Sequence, residues 1–269
     1  GRRTEAMVLR DKVAVITGSS VGVGRAAAIL FAQRGCDVVI NYNRTAAEAE
    51  ETATRCRATG RQALTVQADV SIDADCRRLI QTTVDRFRRI DVLVNNAGVT
   101  EFVNFADLEG LTEEAWEKIF RTNVFGTFFC TRAAAPHLKK SGDAAIINIA
   151  SIAGVLGIGS SIAYAASKAA VINMTKSLAR TLGPEIRVNA IAPGAIDTRW
   201  LRKGIGPEAY EALRESLRTT TPLQDITSPE DVAQAIVWLA EHARMTTGET
   251  IIIDGGFHLG PSPKIHSRE

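Results

Sequence analysis

The chain has 269 residues, of which 32 are Lys or Arg and 30 are Asp or Glu, for a formal net charge of +2. That length suffices for one large α/β domain with a substantial core, and the near balance of charge gives no argument for nucleic acid or an anionic membrane as partner. Cys36, Cys56, Cys76 and Cys130 are widely spaced with no C-x-x-C, and His137, His242, His258 and His266 lack metal-ligand spacing, so reduced thiols, a cytoplasmic location and no metal are expected.

Residues 1–11, GRRTEAMVLRD, are charged and lack the apolar run of a signal peptide, so they read as an N-terminal extension. Gly1 to Ala6 read as a remnant before a native Met7. The strand candidate KVAVIT (12–17) then runs directly into TGSSVGVG (17–24). Gly18, Gly22 and Gly24 lie where strand turns to helix. Small residues there let the backbone approach a dinucleotide, and the helix N-terminus attracts its phosphates. Further strand candidates follow: DVVIN (37–41), QALTVQ (62–67), DVLVN (91–95), AAIINIA (144–150), IRVNAIA (186–192) and ETIIID (249–254). Most have nearly continuous apolar centres, as parallel strands covered on both faces require. The segments between them are helical in composition. The pattern predicts an α/β fold: a Rossmann-type doubly wound parallel sheet of about seven strands with helices on both faces.

Local signals set several boundaries. Thr112 followed by Glu113 and Glu114 reads as a helix start, and Pro136 should end or kink the helix that carries it. Residues 144–167 carry no formal charge, a run long enough to test as a membrane span. Asn148, Ser151, Ser160, Ser161, Tyr164 and Ser167, with glycines at 154, 157 and 159, argue instead for a buried strand, a tight loop and a buried helix start. Gly183-Pro184 stops the helix that begins near Tyr164. Ser228-Pro229-Glu230-Asp231 supplies an N-cap, a proline in the first helical position and two first-turn acids. No repeat or linker divides 12–258, which reads as a single dinucleotide-binding and catalytic domain. Residues 259–269 form a C-terminal tail, loose and polar from Ser262 to Glu269.

At the end of the uncharged run stands YAASK, with Tyr164 and Lys168 four residues apart. On a helix both side chains leave the same face. A nearby ammonium favours a phenolate, so the two make a candidate acid/base pair; the alternative is a surface tyrosine beside an unrelated lysine.

TGSSVGVG, NNAG (95–98), Asn123 in TNVFG, Ser151 in NIASIAG, YAASK and APGAIDT (192–198) occur together and in this order. With them the sequence, from about Lys12 to His258, resembles the compact single-domain branch of the short-chain dehydrogenase/reductase family. The T-G-x-x-x-G-x-G spacing and the 13-residue interval from Ser151 to Tyr164 are both family-like.

The resemblance implies roles. Tyr164 would pass a proton to a carbonyl oxygen in reduction, or take one from an alcohol in oxidation. Lys168 would help depress the phenol's pKa and hydrogen-bond the nicotinamide ribose. Ser151 would hold the carbonyl oxygen, and Asn123 would organise a water connecting Lys168 to solvent. Asn95 would tie neighbouring strands. For the cofactor, the resemblance points to Gly18, Ser19, Ser20, Gly22, Val23 and Gly24 at the first turn. Asn43 and Arg44 follow the second strand, and Asp69 and Val70 the third. Asn96, Ala97 and Gly98 come next, then Tyr164 and Lys168, and finally Pro193, Gly194, Ile196 and Thr198 beside the nicotinamide.

The second strand ends in NYNR (41–44), with Tyr42 where an NAD enzyme usually places a carboxylate. No acid is there to repel a 2′-phosphate, and Arg44 could grip one, so NADP(H) is expected, with NAD(H) as the alternative. Val21 stands where many NADP-preferring relatives carry Arg or Lys.

Arg199 to Pro222 resembles a mobile substrate lid. Its Arg199, Arg202, Lys203, Arg214 and Arg218 read as a solvated face interleaved with Glu208, Glu211 and Glu215, or else as a site for an acidic substrate or carrier. Leu213 and Leu217, one turn apart, could close over a pocket.

The general pattern is most similar to 3-oxoacyl-(acyl-carrier-protein) reductases. That implies an NADPH-dependent ketone reductase acting on a small carbonyl or thioester substrate, with acyl carrier protein an open candidate partner. Sugars, polyols, steroids and other carbonyl compounds remain as alternatives, as does a catalytically silent dinucleotide-binding module. The resemblance also implies a homotetramer packed through the long helices and the DGG–FHL region (254–259).

Overall fold

The structure is a computed structural model and describes residues 7–260. The proposed leader Gly1 to Ala6 and most of the C-terminal tail, from Pro261 on, lie outside the described residues. Strands and helices alternate through the first half of the chain: β1 (Val13–Ile16), α1 (Gly22–Gln33), β2 (Asp37–Tyr42), α2 (Ala46–Arg57), β3 (Ala63–Gln67), α3 (Asp73–Phe87) and β4 (Val92–Asn95). Next come α4 (Glu113–Phe120), a wide π-helical turn (Arg121–Phe125), α5 (Gly126–Ser141), β5 (Ala144–Ile149), α6 (Ala153–Leu156) and α7 (Ile162–Leu182). The last part holds β6 (Ile186–Pro193), α8 (Arg199–Ile205), α9 (Pro207–Thr220), α10 (Pro229–Glu241) and β7 (Thr250–Ile253).

The seven strands form one parallel sheet in the order β3-β2-β1-β4-β5-β6-β7. The sequence-based reading of the sheet holds, strand by strand, to within a residue or so at each end. Alternate residues serve opposite faces, as the pleat requires. Ala14, Ile16, Val38 and Ile40 pack with Ala28 and Phe31 of α1 and Ile236 of α10 on one side. Val15, Val39, Leu93 and Ile146 pack with Leu79 of α3 and Cys130 and Leu138 of α5 on the other. Each fully buried Val, Ile or Leu contributes roughly 1.5–3 kcal/mol, so the two layers hold the sheet rigid beneath its loops.

The caps behave as their chemistry dictates. The Thr112 hydroxyl accepts from Ala115 N at the start of α4. At α10, Ser228 and Asp231 form a reciprocal capping box ahead of Pro229. The helix carrying YAASK starts at Ile162 with Ser161 as its cap and stops at Leu182, before Gly183-Pro184. The uncharged run resolves into β5, the short α6 and the start of α7. No helix among the described residues is long and apolar enough to cross a membrane.

For Pro136 the sequence allowed either an end or a kink. It does not end its helix: α5 continues past it to Ser141. Proline removes one backbone donor, but Ala134 and Leu138 on either side are fully buried, and that packing outweighs the lost bond.

The strand order reverses between β1 and β4. In a doubly wound sheet the crevice at the C-terminal strand ends beside such a reversal is where ligands bind.

Candidate active site

The turn from β1 into α1 occupies that crevice. Gly18 and Gly22 adopt φ of +58° and +59°, a region that side chains disfavour, and a Cβ on Gly18 would sit 2.9 Å from Ala97 Cα. Gly24 is needed for closeness: its Cβ would fall 2.6 Å from the Asn96 side chain and from Gly18 O. The loop is held from both neighbouring strands. The Asn41 side chain on β2 accepts from Gly18 N at 3.0 Å, and Asn96 after β4 donates to Thr17 O and Gly18 O at 3.0 and 2.9 Å.

The catalytic candidates meet on the β5–α7 side. β5 delivers Ser151, and the first two turns of α7 deliver Tyr164 and Lys168. The Ser151 hydroxyl, which accepts from Ala153 N at 3.1 Å, stands near enough to the Tyr164 phenol to act on its titration. Lys168 is buried, 5.7 Å from the Tyr164 ring centroid, and donates to Ile149 O at 2.8 Å. Burial pushes the Tyr164 phenol up to about 12, with the Ser151 hydroxyl pulling weakly the other way. Burial also draws Lys168 down to about 8.

Asn123 lies in the π turn between α4 and α5, and its side chain does structural work. It accepts from Val99 N at 2.8 Å and donates to Val99 O at 2.9 Å and to Ser167 Oγ at 3.0 Å. Ser167 in turn donates to Tyr164 O. A Cβ on Gly98 would lie in ordinary contact, 3.4 Å from Asn123 Oδ1 and 3.5 Å from Lys168 Nζ, which places this backbone between the two side chains. Asn95 ties strands as expected, donating to Asn148 on β5 at 2.9 Å and to Thr131 on α5 at 3.0 Å.

A cavity of about 1220 Å³ joins these parts. Of the expected residues, Gly22, Val23, Asn96, Gly98, Ser151, Tyr164, Lys168, Pro193, Gly194, Ile196 and Thr198 line it. Others stand behind the wall. The buried Ser19 donates to Ile16 O and accepts from Asn41 N, so it shapes the loop. The Ser20 hydroxyl meets Thr45 Oγ1 at 2.7 Å. Asp69 accepts from Ser71 and from Asn43 Nδ2, and Val70 fills the space beside Gly126. Ala97 backs Gly18. Arg44 is exposed and makes no ion pair among the described residues.

Opposite the glycine turn stands the expected lid, α8 and α9, with Leu213 and Leu217 facing the cavity. Asp197 anchors it. Its carboxylate accepts from Tyr210 Oη at 2.6 Å and from Arg202 at 3.1 Å, and these bonds hold it below the usual carboxylate range. Arg199, Lys203 and Arg218 are exposed, whereas Arg202 lies over the Tyr210 ring and Arg214 is half-buried.

Sequence reasoning missed the aromatic residues of the cavity, Phe102, Phe105, Trp200 and Phe257. They lie in loops or in the charged lid, where no periodicity marks them. It also missed Arg25 at the mouth, which is bound to Ser20 O, Thr52 and Glu51.

A glycine turn at the reversal of a doubly wound sheet, opening into a cavity where buried Lys168 stands with half-buried Ser151 and Tyr164, defines an oxidoreductase of the dinucleotide-binding class. The comparisons with known proteins agree. Residues 18–258 match the family model described as enoyl-(acyl carrier protein) reductase. The chain is 45% identical over 247 residues to a protein of Streptomyces violaceoruber assigned as ketoacyl reductase 2 of the granaticin polyketide synthase, covering 92% of this chain and 96% of that one. It is 38% identical over 252 residues to the 3-oxoacyl-(acyl-carrier-protein) reductase of Synechocystis, covering 92% and 97%. A crystal structure assigned to the short-chain dehydrogenases/reductases, from Burkholderia xenovorans, superposes with a TM-score of 0.86 at 39% identity, over 93% of this chain and 98% of that one. The chain belongs to the short-chain dehydrogenase/reductase family.

Proposed function

We propose that this protein reduces a ketone to a secondary alcohol with NADPH, in the manner of a 3-oxoacyl-thioester reductase, with residues 12–258 as its one catalytic domain. The observation that carries the reading is the half-buried Tyr164 at the cavity wall, flanked by Ser151 and the buried Lys168. With its pKa near 12, Tyr164 holds its proton at neutral pH and is a donor, the state that reduction needs. Reduced nicotinamide, when bound, supplies the hydride. Ser151 positions the carbonyl oxygen, and Tyr164 delivers the proton to it as negative charge develops there. Lys168 restores charge balance beneath the phenol, and Asn123 fixes the Val99 peptide beside both.

The residues present fit a dinucleotide. The Gly18–Gly24 cradle would take the pyrophosphate at the α1 N-terminus, and Asn96 and Gly98 would line its path. Pro193, Gly194, Ile196 and Thr198 would meet the nicotinamide. Two features favour a 2′-phosphate: the exposed Arg44 and the Ser20–Thr45 hydroxyl pair beside it. Two acids, Glu48 and Glu51, also line the cavity, but Glu51 is already paired with Arg25 at 3.2 Å. The names of the relatives suggest a 3-oxoacyl thioester as substrate and acyl carrier protein as its vehicle. Exposed Phe125 at the end of the π turn and Phe128 on α5, with Phe257 and Leu259 after β7, support a homotetramer.

The test is loss of reduced-nicotinamide absorbance with NADPH and with NADH. The panel comprises an acetoacetyl thioester, its enoyl counterpart, plain ketones, sugars and diketones. NADPH-dependent turnover of the acetoacetyl thioester supports the reading, and Tyr164→Phe should then cut it by about 10²–10⁴-fold. Turnover of the enoyl thioester alone would overturn it, as would tight NADPH binding with no turnover of any carbonyl.

A further inference from the structure

Beside the catalytic tyrosine, three rings form a row. Phe102 lies 5.6 Å from Trp200, and Trp200 lies 6.5 Å from Tyr164, centroid to centroid, with tilts of 51° and 43°. Both spacings fall within the range of attractive aromatic pairs. The row is built into the backbone. A Cβ on Gly204 would fall 2.2 Å from two Phe102 ring carbons, so the Phe102 ring occupies the space left by that glycine on the lid helix. Trp200 stands about one turn earlier on the same helix. Yet both rings keep much of their surface uncovered, Phe102 39% and Trp200 49%, and both face the cavity. Neither is needed for moving a proton or holding a dinucleotide. Ser160 also lines the wall, its hydroxyl 2.6 Å from that of Thr100, and the charged residues of this part of the lining are Arg199, next to Trp200, and Asp197, which is already bonded to Tyr210 and Arg202.

We propose that Trp200 and Phe102 are specificity residues that select a ketone borne on a planar, conjugated ring system. The inference rests on the ketone-reductase reading and names the substrate class of that site. A flat ring laid against Trp200 gains aromatic contact and places an attached carbonyl towards Tyr164. A flexible alkyl chain gains only area and gives up rotational freedom.

Three ketones of equal carbon count separate these effects: 2-acetylnaphthalene, its fully saturated decalin analogue and the linear methyl ketone. Ratios of kcat/KM between variant and wild type cancel the intrinsic reactivity of each ketone. Trp200→Leu, which keeps apolar bulk, should lower kcat/KM for 2-acetylnaphthalene by about 10-fold and change the other two by less than about 2-fold. Trp200→Phe should stay within about 3-fold of wild type on all three, and Phe102→Leu should follow Trp200→Leu. Equal losses on all three ketones in Trp200→Leu would overturn the proposal. If no ketone turns over, the reductase reading fails, and the ring site is judged by binding alone. In a Trp116→Phe/Trp238→Phe protein, 2-acetylnaphthalene should quench the remaining Trp200 emission, whereas the decalin analogue should not. Absence of that quenching would overturn the proposal.

Discussion

At the residue scale, Lys168 carries a conflict between folding and chemistry. Its ordinary value of 10.5 falls to about 8 because burial opposes its charge, and its one hydrogen bond to Ile149 O does not compensate. Between pH 8 and 10.5 the unfolded chain binds more protons than the folded one, so this residue makes stability rise with pH through that window. Below pH 8 the full penalty applies, on the order of 3 kcal/mol. Lys168→Met should therefore raise the Tm at pH 7 while abolishing turnover, as a thermal melt and an assay on one preparation would show. Reduction by the wild type should hold up to about pH 8 and decline above it as Lys168 loses its proton. Arg44 makes a separate prediction. Arg44→Ala should shift discrimination towards NADH by about 1.5–3 kcal/mol, the value of a charge-assisted contact, and unchanged NADPH/NADH ratios would remove the 2′-phosphate assignment.

At the element scale, the β1–β4 junction is fastened by one buried carboxylate. Asp91 accepts from Val13 N at 2.9 Å and from Arg89 at 2.7 and 2.8 Å, with Lys12 at 3.7 Å. Asp91→Ala strands a buried N–H and two cations and should cost about 3–5 kcal/mol in urea unfolding, with Asp91→Asn costing less because it keeps the Val13 bond. The elements themselves were largely legible. KVAVIT and AAIINIA read as buried strands because parallel strands need apolar residues on both faces, and Ser228-Pro229 read as a cap because the orphan N–H groups there demand one. Pro136 left an end or a kink open because the helix rule counts the lost bond and not the core on either side. The π turn at Asn123 was illegible, since an extra residue in a helical turn leaves no periodic mark.

At the scale of the whole molecule, the candidate catalytic and cofactor residues were legible as motifs, but not the partners each side chain makes. Ser19 read as a ligand contact, and its side chain also braces the loop through Ile16 O and Asn41 N. The lid looked merely charged, because Trp200 is a single residue among Arg199, Arg202 and Lys203. Phe125, Phe128 and Leu259 are exposed and would be covered in the tetramer proposed above. Size-exclusion chromatography with light scattering should give a tetramer, and Phe128→Glu should shift it to a smaller species.

Asp197 joins two events in time. Its carboxylate holds both lid helices through Arg202 and Tyr210, and its neighbour Thr198 caps α8 and sits across from the Gly22 turn. Whatever settles against Thr198 therefore also sets the position of the gate. For the ketone reduction proposed above, the expected kinetic consequence is a compulsory order, with the dinucleotide entering before the ketone and leaving after the alcohol. Product-inhibition patterns should show the oxidised dinucleotide competing only with its reduced form.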